Sequence, residues 1–352
     1  MLDLQIESVF QYLYDIGHFI DLNSARSLIQ EFPDIIEPIA KLKDTPEQIQ
    51  IPKPLVYRIE NIKLNDTNEI EKIRIRAKIY EDGVVTLSIR LDFKNIALFS
   101  LHNIRSLELN TSLGELTVNQ IAEHEFTRIN NIIAPALQQE IYHSPFPEKE
   151  TYAAFCIHGP KEAIGDPNKI IQENRQYIAA FLLGEHPDIP LHETQIKTTL
   201  DHPFSFLQHD LTIFDLDRCL IIDPTRDYED ILLITELANY LLLELRTLDR
   251  ILDRALDAAE DEINRAKYKR VGSKLKILTG LRYDAIFTLE NVENVAKIIG
   301  DYYLAEVFKH ICEIFKLQEW SQSIRNRLAT LSDIYAMRSE ERRVGKECRS
   351  RW

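Results

Sequence analysis

Apolar residues near the N-terminus recur three and four apart, at Val9, Phe10, Leu13, Ile16 and Ile20. That period predicts helix over residues 2–45, and Asp21 to Ser24 supply caps for a second short helix over 25–30. Ile51-Pro-Lys-Pro54 then breaks the pattern, since residues preceding proline are pushed to extended geometry. Beyond it the period falls to two. Ile73, Ile75, Ala77 and Ile79 alternate with Arg74, Arg76 and Lys78, and Asp82-Gly83 separates this run from residues 84–91. Alternation on both sides of an Asp-Gly pair predicts a β-hairpin. A further helix is predicted over 117–142, a short buried strand over 152–158, a helix over 170–183 closed by Gly184, and two strands at 212–214 and 219–222.

From residue 229 to residue 270 there is neither Gly nor Pro. One helix of that extent would be roughly 63 Å long. Ile234, Leu241, Leu248 and Ala255 recur every seven residues, and Ala238, Leu245, Leu252 and Ala259 follow four later. That heptad seam predicts coiled-coil-like packing. Arg246, Asp249, Arg250, Asp253, Arg254 and Asp257 fall outside it and read as a solvated ion-pair face. Helical periodicity resumes over 289–299, 302–315 and 318–336. In the last stretch Trp320, Ile324, Leu328 and Leu331 make a second apolar stripe, which is expected to fold back antiparallel on the long helix. The fold class is therefore α+β. A helical segment (1–50) and a strand-rich mixed domain (51–226) precede a helical coiled-coil-like hairpin region (227–337).

Residues 338–352 interrupt this logic. Their sequence, RSEERRVGKECRSRW, resembles a sequencing-library adapter translated in frame, so it is expected to be a non-native tail. It carries six basic and three acidic residues, and without it the formal net charge moves from −14 to −17. Such acidity argues against nucleic acid as a partner. Cys348 belongs to the tail, leaving Cys156, Cys219 and Cys312, none in a CxxC pair. That pattern gives no disulfide framework and fits a reducing compartment. Residues 1–20 lack a secretory signal, and no run of 18 apolar residues precedes residue 338.

Chemistry is thinly marked. No GxGxxG, GxxxxGK[ST], GxSxG or HExxH motif occurs. The densest polar cluster lies between His202 and Asp223, where His209, Asp210 and Asp215 are weak metal-ligand candidates. Asp at strand ends and turns more commonly bonds local N–H groups. Cys156 and His158 share one face of a strand but have no orienting third group.

The strand carrying Asp82-Gly-Val-Val-Thr86 is followed by the helix Glu236-Leu-Ala-Asn-Tyr-Leu-Leu-Leu-Glu-Leu-Arg246. The segments 295–304, 307–320 and 323–331 come next. In this order of elements, residues 70–337 resemble the required-for-meiotic-nuclear-division family. The resemblance implies an α+β head, a helical stalk and a membrane helix beyond residue 337. It also implies no enzyme activity or cofactor, and a mitochondrial relative that supports organellar translation. The expected function is accordingly a non-enzymatic interaction or scaffold protein. It is expected on the cytoplasmic face of a membrane, assembling as a homo-oligomer or membrane-associated complex through Ile234, Leu241, Leu245, Leu248, Leu252, Trp320, Ile324, Leu328 and Leu331. The alternative is a metal-dependent enzyme built on the cluster between His202 and Asp223.

Overall fold

A computed structural model of the chain describes residues 4–37, 54–65, 70–102, 104, 108–138, 147–159, 164–264, 280 and 301–349. The helix expected over 289–299 lies outside these residues, as do residues 265–270 of the expected long helix.

Residues 4–15 are the centre of a sheet and not a helix. Strand β1 (Leu4–Asp15) pairs antiparallel along its whole length with β6 (Val84–Ile96) on one side and β10 (Glu148–Gly159) on the other. Nearly every residue of β1 is buried, because both faces of the sheet are covered. A doubly buried strand shows a continuous apolar run instead of alternation, and such a run imitates helical spacing.

Eight strands form the main sheet in the order β11-β12-β10-β1-β6-β5-β4-β3. The others are β3 (Ile35–Ile36), β4 (Leu55–Ile59), β5 (Ile70–Ile79), β11 (Leu211–Phe214) and β12 (Arg218–Ile222). All neighbours are antiparallel except β10 and β12. The expected hairpin joins β5 to β6, with Tyr80 N–H donating to the Val84 carbonyl at 2.9 Å. Gly83 there has φ +91°, and a Cβ would sit 1.7 Å from the Gly17 carbonyl oxygen, so this turn requires glycine. Two small ribbons, β2 (Phe19–Ile20) with β9 (Leu137–Gln138) and β7 (Glu108–Thr111) with β8 (Gly114–Thr117), complete the β structure.

Eight helices occur among the described residues. On one face of the sheet, α1 (Leu22–Ile29), α2 (Val118–Ile133), α3 (Pro167–Glu173) and α4 (Arg175–Leu182) bury residues against Ile6, Phe10, Tyr12 and Tyr14 of β1. Helix α2 opens with a reciprocal capping box: Thr117 Oγ1 accepts from Gln120 N–H at 3.2 Å and Gln120 Oε1 accepts from Thr117 N–H at 2.8 Å. The single helix expected over 170–183 is divided at Asn174, whose side chain donates to the Ile170 carbonyl at 2.9 Å. A short α5 (Glu193–Thr199) follows.

The opposite face of the sheet carries α6 (Glu229–Asn264), α7 (Tyr302–Ile314) and α8 (Leu317–Arg349). The early part of α6 buries Ile231, Leu232, Ile234, Leu237, Ala238, Tyr240, Leu241, Leu242, Leu243 and Leu245, which is apolar nearly all round. A helix of that kind is enclosed between layers, here the sheet below and α7 and α8 above. Helix α8 does not fold back on α6. Arg246 lies 5.6 Å over the Trp320 ring, Ser323 donates to Asp249 at 3.4 Å, and Arg327 pairs with Asp249 at 2.9 Å and with Asp253. Partner numbers rise together, so the two helices run in the same direction.

Candidate functional site: an arginine-lined sheet face at the start of the long helix

Alternation in β5 sends Ile73, Ile75, Ala77 and Ile79 into one core and leaves Lys72, Arg74, Arg76 and Lys78 on the face shared with α6. Register then places Arg74 directly opposite Arg90 of β6. Arg76 falls between Ser88 of β6 and Arg58 of β4. Like charges in directly opposed positions repel, so this face needs anions.

Glu7, Asp92 and Glu229 supply some of them. Glu7 of β1 is 4% exposed. It accepts from Arg74 Nη2 at 2.8 Å, Arg90 Nη1 at 3.4 Å and the Tyr228 hydroxyl at 2.5 Å. Arg74 Nη2 also donates to Asp92 at 2.8 Å. Arg90 is gripped in bidentate fashion by Glu229, the first residue of α6, at 2.5 and 2.8 Å. Burial works against the Arg90 charge, but the Glu229 and Glu7 carboxylates hold it more firmly protonated than usual. The Glu229 carboxyl is pulled up by burial and, more strongly, held low by Arg90, Arg76 and Arg74. The Nε–H groups of Arg74 and Arg90 are buried without a hydrogen-bond partner.

The turn into α6 closes this end of the site. Asp223 accepts from Thr225 N–H and Oγ1, both at 2.7 Å, and from Asp227 N–H at 2.8 Å. The turn puts Arg226 at φ +61° and its guanidinium 2.8 Å from His158 Nε2. Burial and then Arg226 lower the His158 pKa, so the ring is neutral and Nε2 accepts. Cys156 is fully buried, and burial followed by Glu7 pushes its thiol well above the usual range. It is a core residue, not an activated nucleophile.

Arg76 differs from its neighbours. It is half-buried, and no hydrogen bond or ion pair joins its guanidinium to the described residues. Burial and then the Arg90 charge press its pKa down, with Arg74 adding to the effect, while Glu229 and Glu7 oppose it. An arginine in this condition lacks the anion that its surroundings call for.

Near the middle of α6 the sign reverses. Asp15, at the end of β1, is 4% exposed, and Asp82 in the β5–β6 turn accepts from the Tyr240 hydroxyl of α6. Glu244 follows one turn later on α6, and neither its Oε1 nor Asp82 Oδ1 has a hydrogen-bond partner. Burial, then the neighbouring carboxylates, raise both Asp82 and Glu244. Between these two groups, Glu236 takes Lys78 at 2.5 Å and the Thr86 hydroxyl at 3.1 Å.

The metal candidates are placed differently. His209 is exposed, Asp210 accepts from Phe206 and Leu207 N–H at 2.7 and 3.0 Å, and Asp215 accepts from Leu216 N–H at 2.6 Å. Both carboxylates fix turns. Among the described residues no group of three or more His, Cys, Asp or Glu side chains is arranged to hold a metal ion. The seam residues Ile234, Leu241, Leu245, Leu248, Leu252, Ile324, Leu328 and Leu331 are buried within the chain, and Trp320 packs against the same core. The charges flanking the seam are partly solvated, with Arg250, Asp253 and Asp257 exposed, but most of them pair with other elements. Arg246 and Arg250 reach Glu150 and Glu148 of β10, while Asp249 and Asp253 reach Arg327 of α8.

The sequence held one signal for the arginine face: three basic residues on the outward side of a predicted strand. Glu7, Tyr228 and Glu229 carried none, because their convergence is purely tertiary.

Residues 5–229 match the family model described as the N-terminal domain of the uncharacterized protein MJ0711. The chain belongs to this family. The family's span includes every member of the arginine network, ending on Glu229. The chain is 26% identical to the uncharacterized protein MJ0711 of Methanocaldococcus jannaschii over 276 residues, covering 77% of this chain and 74% of the relative. No solved structure matches. Membership overturns the resemblance to the required-for-meiotic-nuclear-division family, which rested on apolar helix patterns that many helical layers share. The expectations of a membrane helix and of a translation-supporting complex lose the support of that resemblance. Among the described residues no helix is long and apolar enough to cross a membrane.

Proposed function

We propose that this chain is an interaction protein that recognises an anionic partner on the arginine-lined half of its sheet. The observation that carries the reading is Arg76, a half-buried guanidinium without an acid partner, flanked by Arg58, Arg74 and Arg90. A planar guanidinium held on a rigid strand suits recognition of carboxylate or phosphate. The interaction surface is therefore sought on the sheet and not on the helical seam, whose apolar residues serve the interior.

Thermal unfolding in the presence of two anionic probes, pyrophosphate and a poly-glutamate peptide, tests this at low and at physiological salt. At least one probe is expected to raise the melting temperature of the wild-type chain. The rise should shrink with salt and vanish in the Arg74→Gln/Arg76→Gln variant. A panel in which neither probe shifts the wild type rejects the proposal.

A further inference from the structure

We infer that the partner group is a phosphoryl group on a small molecule, seated on Arg76, and that Glu229 is its built-in competitor. The inference rests on the proposal that this face binds anions, and it specifies the chemistry.

Three observations favour phosphoryl over carboxylate. The chain already answers Arg74 and Arg90 with carboxylates, from Glu7, Asp92 and Glu229. What is left is a whole guanidinium at Arg76, the buried Nε–H of Arg74 and the hydroxyl of Ser88 opposite Arg76, while Arg58 on the other side is already paired with Glu60 at 2.6 Å. That donor set exceeds what two carboxylate oxygens accept. A phosphoryl group offers three oxygens and a charge near −1.5 to −2 at neutral pH, which suits the unpaired Arg76 guanidinium in a cluster of like charges.

A long polyanion fits less well. The chain is strongly acidic, at −14, and the acidic trio Asp15, Asp82 and Glu244 lies farther along the same α6 face. Repulsion on that scale limits the ligand to one that stays within the arginine end.

Glu229 gives the site its competitor. Its side chain is 54% exposed, although it holds a buried arginine, and Arg76 also helps keep its carboxyl ionised. An incoming phosphoryl group would meet the Glu229 charge at the same guanidiniums. Removing that charge should therefore tighten binding.

Calorimetric titration of the full chain with pyrophosphate, paired with poly-glutamate, is the test. Wild-type protein should bind pyrophosphate at one saturable site. Arg76→Gln should weaken it by about tenfold or more, and Glu229→Gln should strengthen it several-fold. Arg76→Gln removes no hydrogen bond or ion pair among the described residues, so its melting temperature should match wild type and separate lost binding from lost folding. Arg26→Gln, on the other face of the sheet, should leave binding unchanged. Poly-glutamate binding that depends on Arg76, with no pyrophosphate binding, would overturn the phosphoryl assignment and leave the anionic-partner reading standing. Binding of neither probe, or pyrophosphate binding that Arg76→Gln leaves intact or Arg26→Gln equally weakens, would overturn both.

Discussion

Glu7 is the residue on which the arginine network turns. It sits on the central strand, 4% exposed, and one carboxylate takes Arg74, Arg90 and Tyr228. Glu7→Gln removes the charge while keeping the shape, leaving two guanidiniums short of an anion. The loss in unfolding free energy should be about 2–3 kcal/mol, below the full cost of an orphaned charge because Arg90 keeps Glu229 and Arg74 keeps Asp92. Tyr228→Phe deletes one charge-assisted bond and should cost about 1–2 kcal/mol. Urea denaturation of both variants measures the pair. A Glu7→Gln variant as stable as wild type would mean that the network does not hold α6 to the sheet.

At the scale of elements, α6 is held by apolar burial more than by its ion pairs. Leu245 is fully buried between the sheet and the helical layer, and Leu245→Ala should cost about 3 kcal/mol. Arg327 reaches Asp249 and Asp253 across the α6–α8 contact, but it is only partly buried and Asp253 is exposed, so Arg327→Ala should cost about 1 kcal/mol. Comparing the two melting temperatures separates these contributions, and a larger effect at Arg327 would refute this ranking. The same helix marks how far periodicity carries. Its existence and its start at Glu229 were legible, because 36 residues without Gly or Pro leave few alternatives. Its partner was not. Heptad spacing says that a stripe is buried, not whether a helix or a sheet buries it, nor in which direction α8 runs. Strand β1 fails for a related reason: buried on both faces, it lost the alternation that identifies a strand.

For the molecule as a whole, the start and the middle of α6 respond to pH in opposite senses. Asp82 is pushed up to about 7, by burial first and then by Asp15, and Glu244 is raised too, by burial and then by Asp82 and Asp15. A carboxyl whose folded pKa exceeds its unfolded value contributes stability that is fully present below the unfolded value, near 4. That contribution is lost as pH rises through the folded value. Glu229 is held low, so its contribution is present above its unfolded value and lost as pH falls through its folded one. Melting temperature should therefore decline as pH rises from about 5 to 8, and Asp82→Asn or Glu244→Gln should flatten that decline. A decline of equal slope in both variants would assign it elsewhere.

By itself the sequence determined the α+β class, the β5–β6 hairpin, the long helix and the scarcity of catalytic motifs. These are local properties, written in the period of apolar residues and in turn chemistry. Tertiary structure decided everything that depends on which faces meet: β1 as the central strand, the parallel course of α6 and α8, and the burial of the seam within the chain. It also decided the arginine face. Residues as distant as Glu7, Arg76 and Glu229 meet only because strand register and one helix terminus bring them together, and no pattern along the chain encodes that distance.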